Sequence, residues 1–330
     1  ACKRDPTMTL PPDYELNICF AHVAYRFAER YAQRGGKLRH FEVRSLDELE
    51  ARIAEADVLL VSGMWRNHLA ARALRLCFIQ SISAGVDQYD REVLRGTGIR
   101  LASAQGANAN AVSEHAMALI LALMRRLPEA RDNQLKKHWR GMIGDLTQRE
   151  DELGGQTLLV VGLGRIGGRL ARLGRAFGMK VIGLRADPAK GADGADEVHG
   201  MDELHACLAR ADIAALCCAL TPETRGLMGA TEFAAMKPGA MLVNVARGPV
   251  CDEAALISAL ASGQVGHAAL DVTAEEPLSE ASPLWHLPNV FITPHTGGET
   301  RAYEGNVLDL MEENLGRLRR GETALFNQVV

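Results

Sequence analysis

The chain has 330 residues, 47% of them hydrophobic, which is enough for a sizeable core and for two domains. Charged residues make up 24% and the formal net charge is -4, so there is no basic footprint for nucleic acid and no polybasic patch for lipid. The seven cysteines include no CxxC pair and read as reduced core thiols of a cytoplasmic protein. The longest apolar stretches, "LLVVGLG" and "MALILALM", are too short to cross a bilayer, and "ACKRDPTM" has no apolar core of a secretory signal.

The first hundred residues alternate between strand and helix patterns. "LNICFA" is a predicted strand, a helix follows near Ala21–Gln33, and "RHFEVR" is the next strand. In "LDELEARIAEA" the apolar residues Leu46, Leu49 and Ile53 share one helical face. "DVLLVSG", "LRLCFIQSISAG" and "GIRLASAQG" complete the series, and strands separated by helices predict a mostly parallel sheet covered on both sides. "NANAVSEHAMALILALMRRLPEARDNQLKKHW" then reads as one long helix. Next come strand, tight turn, helix and strand in "GQTLLVVGLGRIGGRLARLGRAFGMKVIGLRADP". Later strands are expected in "ADIAALCCAL", "MLVNVA", "GHAALDV" and "NVFITP", and "EGNVLDLMEENLGRLRR" is a helix expected to return to the first domain.

Gly162, Gly164 and Gly167 have the GxGxxG spacing directly after an apolar strand and at the start of a helix. Gly162 permits the tight turn, Gly164 lets the backbone approach a pyrophosphate, and Gly167 allows close packing of helix on strand. With strand before and helix after, this context predicts dinucleotide binding. The following strand ends at Arg185, with Asp187 two residues on. An arginine cannot accept a hydrogen bond from a ribose hydroxyl but pairs with a 2′-phosphate, so NADP is expected in preference to NAD. The alternative is an arginine that stacks on adenine while NADH is still accepted.

Arg247, Glu276 and His295 each stand just past a predicted strand. Strand ends on one side of an open parallel sheet line the ligand crevice. Histidine suits the proton transfer that must accompany hydride transfer at an alcohol carbon, and a carboxylate such as Glu276 can orient the ring. Arg247 can hold a substrate carboxylate with two hydrogen bonds. Taken singly, each has a plainer reading as a loop or surface residue; their common placement behind a dinucleotide motif favours the chemical one. His115 is read as helix packing or interdomain bonding, and His22, His68, His267 and His286 form no metal-ligand pattern, so no metal is expected.

These segments, together with "SAGVDQYD", "NAVSEHAMALILAL", "LTPETRGLMG", "FAAMKPGAMLVNVARGPVCDEAALISAL", "ALDVTAEEPL" and "LPNVFITPHTGG", resemble the D-isomer-specific 2-hydroxyacid dehydrogenases, from about residue 55 to the C-terminus. The resemblance implies an α/β chain with two Rossmann-like domains built on parallel sheets. One is a discontinuous flavodoxin-like substrate domain, 1–104 with 299–330; the other is a larger NAD(P)-binding domain, 105–298. It also implies that Arg247 binds the substrate carboxylate and carbonyl, that Glu276 partners the histidine, and that His295 is the acid/base. By the same resemblance, backbone amides of the loop with Ala84 and Gly85 hold the carboxylate. Arg165 and Ile166 lie in the pyrophosphate loop, Thr221 borders the cofactor, and Asp271 is near the nicotinamide carboxamide. A homodimer is implied.

The chain departs from the family pattern at Ser103 and Gln105, at Cys217 and Ala219, and at Arg185. The formate-oxidising branch has glutamine beside its histidine, so Glu276 points to a keto acid. Because the sequence ends soon after its last helix, the regulatory domain of many phosphoglycerate dehydrogenases is not expected here. A reductase of the hydroxypyruvate/glyoxylate type is therefore expected. Met64, Trp65 and Arg66 are watched as pocket residues, with simple packing the alternative for Trp65. A bulkier 2-keto acid, another small anion and a cofactor-sensing corepressor are the competing readings.

Overall fold

A computed structural model describes residues 10–330; the segment "ACKRDPTM", read above for a secretion signal, and its Cys2 lie outside the described residues. The chain divides into two compact units. One holds residues up to Asn108 together with Thr300–Val330, and the other holds Ala109–Glu299.

The first unit begins with β1 (Asn17–Ala21), α1 (Phe27–Gln33), β2 (Arg39–Val43), α2 (Leu46–Arg52), β3 (Val58–Val61), β4 (Phe78–Ser81), α3 (Arg91–Thr97) and β5 (Arg100–Ala102). β1, β3 and β4 are buried at every position and show no alternation; β3 is wholly apolar, while Asn17, Gln80 and Ser81 are buried polar residues of β1 and β4. All five strands are parallel in the order β2-β1-β3-β4-β5, the flavodoxin-like order. The helix expected near Ala21–Gln33 starts only at Phe27. Its first residues turn instead, because His22 Nδ1 accepts the amides of Ala24 and Tyr25 at 3.1 and 2.7 Å. Ser45 caps α2 by accepting from the Glu48 amide.

The second unit starts with α4 (Ala109–Met124) and α5 (Leu127–Leu135). The single long helix expected here is broken. Arg126 takes φ 48°, and Pro128 stands in the first turn of α5, where its missing N–H costs nothing. Continuing α4 through Pro128 would remove a helical hydrogen bond and drive the ring into a preceding carbonyl.

Then follow β6 (Thr157–Val161), α6 (Arg165–Ala176), β7 (Lys180–Leu184), β8 (Glu197–His199), α7 (Leu204–Leu208), β9 (Ile213–Leu216), α8 (Ala230–Ala235), β10 (Ala240–Asn244), α9 (Glu253–Ser262), β11 (Val265–Leu270) and β12 (Val290–Ile292). The order is β12-β11-β10-β9-β6-β7-β8, all parallel, so sequence order reverses between β6 and β9 as in a Rossmann sheet. The edge strand β8 was not anticipated; three half-buried residues, "EVH", show no periodicity to read.

The last helix, α10 (Tyr303–Arg319), belongs to the first unit. Val307, Leu308, Met311 and Leu315 are buried with Phe20, Phe27 and Phe78. The Tyr303 hydroxyl donates to the Ile82 carbonyl. The buried Asn314 side chain donates to Gln80 Oε1 at 3.0 Å and to the Phe326 carbonyl at 3.2 Å, and accepts the Phe326 amide at 2.7 Å. Asn314→Ala removes all three hydrogen bonds from a buried position and is expected to lower stability by about 3 kcal/mol. Urea unfolding followed by far-ultraviolet dichroism measures this; a midpoint equal to wild type contradicts it.

Candidate active site

Everything chemical in the second unit hangs from the carboxyl ends of its parallel strands. At the order reversal, β6 runs into Gly162, whose φ is +100° and whose added Cβ would lie 2.7 Å from Cys218 Cα. A Cβ on Gly167 would lie 2.1 Å from the Gly162 carbonyl oxygen. Gly164 is different: it is exposed, and its Cβ would meet nothing within 4 Å. It caps α6 without a side-chain hydrogen bond, at a helix N-terminus of the kind that receives an anion. Arg165 and Ile166 begin that helix, Arg165 exposed and Ile166 packed toward the core. This cradle fits a pyrophosphate.

The next positions around the sheet carry the polar side chains. Arg247 follows β10, with its Nη1 donating to the Ala246 carbonyl at 2.7 Å. Its backbone is held by the buried Asn244, which donates to the Arg247 carbonyl at 3.2 Å and accepts the Ala246 amide at 3.0 Å. Gly248 packs so closely on the loop after β11 that an added Cβ would lie 1.8 Å from the Thr273 carbonyl oxygen. In that loop the Thr273 amide donates to Glu276 Oε1 at 3.2 Å. The other carboxylate oxygen, Oε2, lies 2.7 Å from His295 Nδ1. An ionised carboxylate only accepts, so Nδ1 carries a proton and Nε2 is the nitrogen left for chemistry. His295 follows β12 with φ 56°, and its ring is half-exposed.

Other expected residues have local partners. Arg185 directly follows β7, and its Nη1 donates to the Gly191 carbonyl at 2.6 Å and to Asp193 Oδ2 at 2.7 Å. Asp187 caps the next turn by accepting the Ala189 amide. Thr221 exchanges hydrogen bonds with Thr224 in an exposed loop. Asp271 is buried at the end of β11 and accepts from Thr293, Thr296 and Gly297. His115 lies on α4 with Nε2 2.9 Å from Thr293 Oγ1, so its bond is inside this unit and not the interdomain one considered above.

In the first unit, Ala84 and Gly85 follow β4, beside Ser83. The Ser62 and Ser83 hydroxyls are hydrogen-bonded, and Gln88 Nε2 donates to Ser62 Oγ at 3.0 Å. Met64 and Trp65 are core residues, not walls of an open pocket. Asn244, Thr273 and Thr293 were not singled out in the sequence; Asn244 and Thr273 act through backbone groups and Thr293 through a hydroxyl bonded to residues far along the chain, which residue type alone does not signal.

Burial pushes the Cys217 and Cys251 thiols up to about 12 and Cys218 to about 11. All six described cysteines are free. Among the described residues no His, Cys, Asp and Glu cluster could hold a metal, and no helix is long and apolar enough to cross a membrane.

A doubly wound sheet with a glycine turn at its switch point defines a dinucleotide-binding α/β protein. Residues 117–297 match the family model described as D-isomer specific 2-hydroxyacid dehydrogenase, NAD binding domain. D-3-phosphoglycerate dehydrogenase of Methanocaldococcus jannaschii is 36% identical over 285 residues, covering 84% of this chain and 52% of the relative. Glyoxylate reductase of Aeropyrum pernix is 35% identical over 280 residues, covering 83% and 82%. The crystal structure of a D-isomer specific 2-hydroxyacid dehydrogenase family protein from Aeromonas salmonicida superposes with TM-score 0.84 at 31% identity, covering 96% and 99%. The chain spans about half the length of the phosphoglycerate dehydrogenases it matches. It belongs to the D-isomer specific 2-hydroxyacid dehydrogenase family.

The glycine turn separates folding from binding. Gly164→Ala is expected to leave the melting temperature within about 2 °C but to weaken NADPH or NADH at least about tenfold, because its methyl enters the ligand's space. Gly167→Ala should lower both. Fluorescence titration and thermal denaturation read the pair; equal cofactor affinity in Gly164→Ala contradicts the cradle.

Proposed function

We propose that the protein reduces a small 2-keto acid of the hydroxypyruvate or glyoxylate type to the D-2-hydroxy acid with NAD(P)H, and runs the reverse reaction. The observation that carries this reading is the 2.7 Å contact between His295 Nδ1 and Glu276 Oε2, on strand ends adjoining the one that carries Arg247. Bound reduced nicotinamide supplies the hydride. Arg247 holds the substrate carboxylate and keeps the carbonyl in one orientation. His295 gives its Nε2 proton to the keto oxygen as charge develops there, and Glu276 stabilises the imidazolium beforehand and fixes its ring plane. In the oxidation direction the same nitrogen removes the hydroxyl proton.

Ala84 and Gly85 are assigned to the substrate carboxylate. In support, their amides donate to no acceptor among the described residues. The neutral Ser62, Ser83 and Gln88 cluster on adjacent strand ends favours a small polar substituent over an apolar one. Asp271, Thr221, Arg165 and Ile166 are assigned to the cofactor side, with the glycine turn. NADPH is the proposed preference. Arg185 stands where a carboxylate would be needed for a free 2′-hydroxyl, and Asp193 orients its guanidinium.

Oxidation of NADPH and NADH with hydroxypyruvate, glyoxylate, pyruvate and phenylpyruvate tests the reading. Turnover of a small polar acceptor, faster with NADPH, is expected; failure with every acceptor in folded protein rejects the reaction, and equal efficiency with NADH rejects the role of Arg185. His295→Ala should lower kcat by about a hundredfold or more while cofactor affinity stays near wild type.

The functional form we propose is a homodimer. α5 buries no residue, and Leu127, Leu135, Trp139, Met142 and Leu146 are all exposed, Trp139 at 95%. So much apolar surface on one arm favours a second copy as its cover. Trp139→Asp is expected to shift the protein from dimer to monomer in sedimentation velocity. A monomeric wild type, or a dimeric variant, rejects the arm as the contact.

A further inference from the structure

We infer that His115 and Asp271 form a latch that positions His295 by holding the backbone on both sides of it. The inference rests on the reading of His295 as the acid/base. His295 has φ 56°, a left-handed backbone that is strained for a side-chain-bearing residue and persists only where the surroundings impose it.

The surroundings here are one buried carboxylate. Asp271 Oδ1 accepts the Thr293 hydroxyl at 2.6 Å and the Thr296 amide at 3.0 Å. The Gly297 amide is shared between Oδ1 at 3.2 Å and Oδ2 at 3.0 Å. One residue before His295, Thr293, and two after it, Thr296 and Gly297, are therefore tied to the same group. Burial raises the pKa of Asp271, but hydrogen bonds from His115, Thr293 and Gly297 outweigh it and hold the carboxyl below its ordinary range. The ionised form, which accepts from every donor in the loop, is thus the one the site maintains.

His115 closes the latch from behind. Its Nε2 lies 2.9 Å from Thr293 Oγ1 and 3.4 Å from Asp271 Oδ1. Threonine has one hydroxyl proton, and Thr293 gives it to Asp271. Its oxygen must then accept from His115, which fixes a proton on Nε2. The ring also packs against the loop: a Cβ on Gly297 would come within 2.9 Å of His115 Cδ2 and 2.7 Å of Asp271 Oδ2. His115 projects from α4, a sixteen-residue helix packed on α6, β10 and β11, so the latch is anchored in a rigid element. By holding the loop in this way, Asp271 serves the reaction through His295, in addition to its proposed place on the cofactor side. Both are positioning residues.

The test compares His115→Ala and His115→Gln in the full chain. Glutamine's Nε2 can replace the imidazole donor to Thr293. In His115→Ala, kcat for the best 2-keto acid is expected to fall about tenfold or more, with KM and NADPH affinity within about twofold. Hydrogen exchange at the Thr296 and Gly297 amides should accelerate about tenfold while β6 and β7 keep wild-type protection. His115→Gln should recover most of both. Unchanged kcat and exchange in His115→Ala overturn the latch, as does a general loss of protection across the unit that glutamine does not repair. If wild-type protein reduces no 2-keto acid, the proposed reaction fails separately, and the exchange comparison alone decides whether the latch exists.

Discussion

A hydrogen bond of 2.7 Å between His295 Nδ1 and Glu276 Oε2 is the contact on which the proposed chemistry depends. It leaves Nε2 as the nitrogen for the proposed proton transfer, a role that needs two loops from neighbouring strands to hold their residues to within a fraction of an ångström. The parallel sheet meets that demand. β10, β11 and β12 end side by side, and the loops leaving them are pinned by Asn244, by the Thr273 amide and by Asp271. Each pin pairs a backbone group near the sheet with a side chain, where an unpaired group would be costly.

Much of this architecture was legible in the chain. Buried parallel strands have to be apolar on both faces, so "LLVV", "LVN" and "VLLV" announced themselves as strands whatever the helices between them did. The glycine turn was readable because its three positions answer to three separate steric demands, and two of those demands appear here as clashes that any Cβ would create. Arg247, Glu276 and His295 stood out through their common position after strands. Their identification as a set owed much to the family resemblance as well.

What stayed hidden has physical reasons. The break at Arg126 was masked because Pro128 falls in the first turn of a new helix, so the helical pattern on either side continues. β8 is too short to show a period. The turn at His22 replaces a helical start through a side chain accepting backbone amides, which propensity does not register. The His115–Thr293–Asp271 group joins residues far apart in the chain, and only the folded sheet brings them together. Positioning residues are hard to read for this reason: they act through geometry, while sequence displays chemistry.

The central claim is that a hydride is delivered to C2 of a 2-keto acid while His295 protonates the oxygen. Reduction of the preferred 2-keto acid with C4-deuterated NADPH, followed by chiral product analysis and mass spectrometry, addresses it directly. Deuterium at C2 of a single D enantiomer is expected when the label sits on the transferred face. Product without the label, or a mixture of enantiomers, would contradict it.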